Sequence, residues 1–242
     1  MKVKVKMSEF FLELFSEEIP AKLQVNARKN IFDNLKKFFD ENEVKIKGQI
    51  KVFSTPNRLV VYIEKIAKSI NKKSEEIRGP SIKAPEQAIE GFMRSNNVKK
   101  NQIYKKTTDK GDFYFYKNPS KKINTIELIR ENIPNILNKI SWNKSMKWGN
   151  YDLYWGRPLK SILTVFDGKK IDYDFYHLKS SNNTYIDKDF EEKTKIFNNF
   201  KSYNSYFKSI GIIIDQDKRK SFLKKELLKL SNKKNLKINF NE

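Results

Sequence analysis

Six apolar side chains at helical spacing, Leu23, Ala27, Ile31, Leu35, Phe38 and Phe39, follow Ser16-Glu-Glu-Ile-Pro20 and constrain the fold more than any other feature. Steps of three or four residues set them on one face of a long helix, and a face that size has to be buried. Around that helix the pattern changes period. Residues 10–15, 45–54 and 58–66 read as strands, the last two joined at Thr55-Pro-Asn57. Residues 103–107 and 112–117 read as strands turned at Asp109-Lys-Gly111, and 160–166 and 171–176 as a hairpin turned at Asp167-Gly168. Further helices are expected over 85–95, burying Ala88, Ile89 and Phe92, and over 123–140, capped by Asn124 or Thr125 and kinked or split at Pro134. Another spans 200–210 with Tyr203, Phe207 and Ile210 inward. After a short strand at 212–214, a Lys-rich helix with Phe222, Leu223, Leu227, Leu228 and Leu230 opens at Asp215 or Asp217. Residues 68–74 read as a surface linker. Hairpins and amphipathic helices mix without a βαβ rhythm, so the expected class is α+β. The expected divisions are a 1–6 extension, a compact α+β region over 7–189, and a helical segment over 190–242. The alternative is two subdomains divided near residue 120.

Several chemistries are excluded by residue type. The chain has no Cys, which removes disulfides, thiol nucleophiles and thiolate-bound metals, and its one His, His177, leaves no partner for a two-histidine metal site and no spare for a His-based triad. His177 itself reads as a core or strand-end residue. No GxxxxGK[ST], GxGxxG or GxSxG pattern is present, so self-contained nucleotide chemistry is not expected and no catalytic or metal-binding residue is assigned. No apolar run nears the roughly 18 residues of a membrane span and no signal peptide is present, which predicts a soluble cytoplasmic protein. The net charge of +21 favours polyanionic partners, but Lys dominates so heavily over the seven Arg that the charge reads as a chain-wide compositional drift rather than a built patch, and alone it proves little. The few Arg carry more weight, because Lys cannot supply a planar fork.

The stretch 141–170 is the least ordinary. It holds Trp142, Trp148 and Trp155, two of them followed by Gly, with Lys144, Lys147 and Arg157 between. Rigid aromatic faces interleaved with cations suit nucleic acid. The same residues suit a loop folded tightly over a core and pinned by an Arg, and both readings stand. Arg58, beside Thr55-Pro-Asn57, either meets a ligand or anchors its turn. Phe113 to Tyr116 alternate across a strand, so at most two face one side, and a core role is the better reading.

Four ordered segments carry a family resemblance. Lys144-Ser-Met-Lys-Trp-Gly149 with Trp155-Gly-Arg-Pro-Leu-Lys-Ser-Ile-Leu163, Phe11-Leu-Glu-Leu-Phe-Ser-Glu-Glu-Ile-Pro20, Thr55-Pro-Asn-Arg-Leu59, and Glu76-Ile-Arg-Gly-Pro-Ser-Ile-Lys-Ala-Pro85 together resemble the β subunit of the bacterial two-subunit glycyl-tRNA synthetase, over residues 7–230. Asp217-Lys-Arg-Lys220 matches more weakly. Where the family has Gly-His-Arg, this chain runs Asn182-Asn-Thr-Tyr185 into Ile186-Asp-Lys-Asp-Phe. The resemblance implies a part in ATP-dependent attachment of glycine to tRNA(Gly), as a hetero-oligomer with an α subunit. ATP and Mg²⁺ are expected on that α subunit rather than on this chain. Arg58, Arg78, Lys144, Lys147, Trp148 and Arg157 are the candidate tRNA or subunit contacts. Family chains continue through further helical and anticodon-binding domains, so a truncated or split frame, or a deliberate N-terminal piece, is expected. The alternative is a stand-alone RNA-binding accessory protein, or an inactive fragment, derived from that subunit.

Overall fold

A computed structural model describes residues 5–72, 74–186 and 193–240. Most of the expected 1–6 extension, the 189/190 boundary and the residues just after Ile186, where the Gly-His-Arg element would fall, lie outside the described residues. In chain order the elements are β1 (Met7–Ser16), α1 (Ala21–Glu41), β2 (Ile46–Ser54), β3 (Arg58–Ala67), β4 (Ser69–Lys72), β5 (Glu75–Ser81), α2 (Glu86–Asn96), β6 (Ile103–Thr108), β7 (Gly111–Asn118) and β8 (Lys121–Asn124). They continue with α3 (Thr125–Asn138), β9 (Leu159–Phe166), β10 (Lys169–Lys170), β11 (Asp174–Phe175), β12 (Leu178–Lys179), β13 (Asn183–Tyr185), β14 (Thr194–Ile196), α4 (Phe200–Ser209) and α5 (Gln216–Lys233). The fold is α+β. Two compact units make it up, Met1–Ser69 with Asn124–Glu242, and Ile70–Ile123.

The larger unit is built on an antiparallel sheet in the order β10-β9-β1-β3-β2. Strand β1 is central, with Glu13 opposite Val60 of β3 on one side and Leu163 of β9 on the other. Phe10 to Phe15 are buried throughout, which is why this strand is an apolar run broken only by Glu13 instead of an alternating pattern. Odd and even positions face opposite sides of the sheet. Phe10 meets Phe39 of α1 edge-on at 6.5 Å, and Phe11 meets Tyr203 of α4 at 4.7 Å, so helices cover both faces. Leu23, Ala27, Ile31, Leu35, Phe38 and Phe39 are all buried, each large one contributing about 1.5–3 kcal/mol. The helix ends where Glu43 takes φ 53°, letting the Val44 N–H return to the Phe39 carbonyl at 2.9 Å.

Several local expectations are corrected. Helix α3 runs through Pro134 unbroken, and Asn124 makes no side-chain cap. The Thr125 hydroxyl instead donates to the Ala67 carbonyl at 2.5 Å, tying the helix start to the end of β3. The hairpin at Asp167-Gly168 forms with φ 53° and 75°, but its second strand pairs only over Lys169–Lys170. Tyr203 and Phe207 are fully buried while Ile210 is 46% exposed, because the helix ends at Gly211 (φ 83°) and the chain turns away. Residues 212–214 form no strand. Helix α5 is held at its start: the Asp215 carboxylate accepts from the Asp217 and Lys218 N–H groups, and Arg219 donates to the Ile213 carbonyl at 2.6 Å and the Ser54 carbonyl at 2.9 Å. Its apolar residues Phe222, Leu223, Leu227, Leu228 and Leu230 remain 43–57% exposed.

The smaller unit has an antiparallel sheet in the order β5-β7-β6, helix α2, and the paired strands β4 and β8. The stretch read as a linker is therefore partly a strand. Phe115 alone of the four consecutive aromatics is buried. A β-carbon on Gly79 would stand 2.8 Å from the Phe92 ring, so Gly79 seats that side chain. Phe92 and Ile89 are nevertheless only half-buried and Ala88 is exposed, contrary to the expected buried face.

Candidate nucleic-acid interface

Residues 141–158 form a loop closed on itself by two backbone bonds between Met146 and Trp155, at 2.8 and 3.1 Å. Trp155 is the buried anchor, against Trp142 at 5.0 Å and Phe175 at 6.0 Å. Gly156 follows because nothing larger fits: a β-carbon there would lie 2.4 Å from the Trp142 ring. Gly149, at φ 54°, turns the tip, and the Tyr151 N–H reaches the Trp148 carbonyl at 3.3 Å. Thus one Trp-Gly pair is a packing contact and the other a turn, as the tightly folded reading requires.

Arg157 serves that architecture directly. Its Nε donates to the Glu18 carbonyl at 3.2 Å and its Nη1 lies 3.8 Å from the Met146 sulfur. The neighbouring chain is sewn to the same place by the Glu17 N–H on the Pro158 carbonyl and by Lys160 on Glu17, each within 3 Å. Lys144 is exposed. Lys147 is exposed and pairs with Asp152 at 2.7 Å, which raises the lysine's pKa and lowers that of the aspartate. Trp148 is half-buried with its ring edge-on to His177 at 5.7 Å.

His177 is the centre of an aromatic group that the sequence reading did not weigh. Tyr151 stacks on it at 3.7 Å and 13°, and burial lowers the imidazole pKa against the opposing pull of a backbone hydrogen bond at Leu159. Tyr151, Tyr154 and Tyr176 are 43%, 63% and 49% exposed. Tyr176 adopts φ 54° and donates its hydroxyl to Asn138 at 2.9 Å. The signal was present in Tyr151-Asp-Leu-Tyr154, between the second and third tryptophans.

The structure brings Lys144, Lys147, Trp148 and Arg157 into one loop. Arg78 belongs to the smaller unit, exposed, with its guanidinium 3.6 Å above the Phe113 ring. Arg58 is buried. Its Nη1 lies 3.5 Å from both Glu13 and Thr184, its Nη2 donates to the Tyr185 carbonyl at 2.5 Å, and the rings of Phe15 and Phe207 flank it at 4.4 Å. These contacts make Arg58 the counter-charge of a buried carboxylate. It also lines a recess of about 420 Å³ with Phe15, Thr55, Asn57, Ile210 and Ile212. Among the described residues no three His, Asp or Glu side chains converge as a metal site, and no helix is long and apolar enough to cross a membrane.

Residues 10–242 match the family described as glycyl-tRNA synthetase beta subunit. The glycine--tRNA ligase beta subunit of Rickettsia prowazekii (strain Madrid E) is 39% identical over 232 residues, which is 96% of this chain and 35% of that protein. Its counterpart in Rickettsia typhi (strain ATCC VR-144 / Wilmington) is 40% identical with the same coverage, and that of Rickettsia canadensis (strain McKiel) is 38% identical. The chain spans about a third of the length of these curated relatives.

Proposed function

This chain belongs to the glycyl-tRNA synthetase beta-subunit family, and from that membership we propose that it takes part in attaching glycine to its tRNA by binding RNA and an α subunit. The observation that carries the reading is the family match through the loop at 141–158, where the matched residues build a hydrogen-bonded, ring-packed scaffold with cations and aromatic rings at its surface. ATP and Mg²⁺ act at the level of the complex, on the α subunit. No residue here is given a chemical step. Contact with tRNA is mainly through phosphates, so affinity falls steeply as salt rises. Lys144 and Lys147 are the proposed phosphate contacts of the loop, and Arg78 that of the smaller unit. Arg157 positions the loop, and Trp148 holds the aromatic group against His177. The site acts in the cytoplasm, where tRNA is charged.

Glycine-dependent exchange of pyrophosphate into ATP, measured with the chain alone and with an α subunit from a matched Rickettsia species, tests the reading together with tRNA binding by fluorescence anisotropy. The expected result is no exchange by the chain alone, salt-sensitive tRNA binding, and co-sedimentation with the α subunit. Exchange by the chain alone, or failure to bind either tRNA or the α subunit at low salt, overturns it.

A further inference from the structure

The loop at 141–158 is more than a basic patch. Tyr154 is 63% exposed and has no ring partner among the described residues, and it lies near Lys147. Tyr151 gives one face to His177 in a near-parallel stack and is 43% exposed. Exposed rings on a chain with a net charge of +21 have an obvious complement in a polyanion that carries flat bases. The loop that carries the rings is also braced. The Met146–Trp155 backbone pair, the Trp142 ring against Gly156 and the His177 stack fix the frame before any ligand arrives. Deepening the reading above, and resting on it, we propose that Tyr151 and Tyr154 form a stacking platform for unpaired nucleotides of RNA, with Lys144 and Lys147 meeting the adjoining phosphates.

The specificity follows from geometry. A base inside a duplex has both faces covered by its neighbours, so only an unpaired base can lie flat on a tyrosine ring. Stacking is tolerant of sequence, because every base offers a π face. Asp152 faces Lys147 in the free protein, and the incoming phosphate takes its place on the ammonium.

The test uses the full chain and two probes, an unstructured RNA of about eight nucleotides, within the roughly 4–16 that such grooves cover, and a blunt RNA duplex of the same charge. Tyr154→Ala is expected to weaken single-strand binding about 5- to 100-fold while Tyr154→Phe keeps it, and Tyr151→Ala to act similarly. Lys144→Ala should weaken both probes and flatten the salt dependence. Melting curves of each variant show that the fold is intact. Tyrosine variants that bind the single strand like the parent, or that lose duplex binding equally, overturn the platform while leaving RNA binding in place. Variants that lose only the α subunit identify the rings as a protein contact and also overturn it. A parent chain that binds neither RNA removes the broader reading as well.

Discussion

Glu13 and Arg58 sit diagonally across adjacent strands on one face of the sheet, 3.5 Å apart and both closed off from solvent. The same carboxylate accepts from the hydroxyls of Thr184 and Tyr203, and burial with Glu13's negative charge pushes the Tyr203 pKa well above its usual value. Arg58→Leu strands a buried charge and should cost about 3–5 kcal/mol. Replacing both residues with apolar ones of similar volume should recover part of that loss. Denaturant melts of the single and double variants check this, and a double variant as unstable as Arg58→Leu would show that the pair is not an isolated unit.

Gly156→Ala forces a methyl group into the Trp142 ring. An overpacked contact of this kind costs about 1–3 kcal/mol, which for a chain of this size lowers the melting temperature by several degrees. In a Trp142→Leu background the penalty should shrink, because the opposing ring is gone. Equal penalties in both backgrounds would mean that the glycine is needed for its backbone alone.

Arg219 draws β2 and α5 together through a fork that lysine cannot copy, reaching the Ser54 and Ile213 carbonyls at once. Arg28 joins the same junction by donating to the Ser54 hydroxyl at 2.5 Å; burial of Arg219 and then the nearby charge of Arg28 lower the Arg219 pKa. Arg219→Lys is expected to cost about 1–2 kcal/mol and to speed amide exchange through the first turns of α5, leaving β1 and β3 protected. Uniform acceleration across the larger unit would contradict a local clamp.

Burial lowers the His177 pKa below its ordinary 6.5, so the unfolded chain takes up the proton first. The contribution of this group is fully present above that ordinary value and declines as the pH falls through it and toward the folded-state value. His177→Phe keeps a flat ring beside Tyr151 without a titrating nitrogen. Between pH 7.5 and 5 its melting temperature should fall less than the parent's, as thermal scans across that range would show.

What could be read in advance was local. The face of α1 was legible because all six of its residues turn toward one sheet, and the Asp167-Gly168 turn because its chemistry is contained in two residues. The place of β1 between β3 and β9 was not legible, since pairing across so much chain leaves no mark on periodicity. Strand β4 leaves no mark on the sequence because Ser69 to Lys72 form a short, mostly polar strand held by its partner β8. In the loop, Lys144, Lys147, Trp148 and Arg157 stood out as residue types, but their neighbours decide what each one does. Tyr151 needed His177, about 25 positions away, to become part of a stack.

The position of β1 also sets an order of events during synthesis. Its inner partner β3 emerges soon after it, but β9 arrives only about 150 residues later, at a translation rate of roughly 5–20 residues per second. For roughly 8–30 seconds the run Phe10-Phe-Leu-Glu-Leu-Phe15 has one edge without a partner on a chain still attached to the ribosome. Until then its unpaired backbone and large apolar side chains are those of an aggregation-prone segment, with Glu13 its only charge. The carboxylate that later holds Arg58, Thr184 and Tyr203 together is thus also the gatekeeper of the nascent strand.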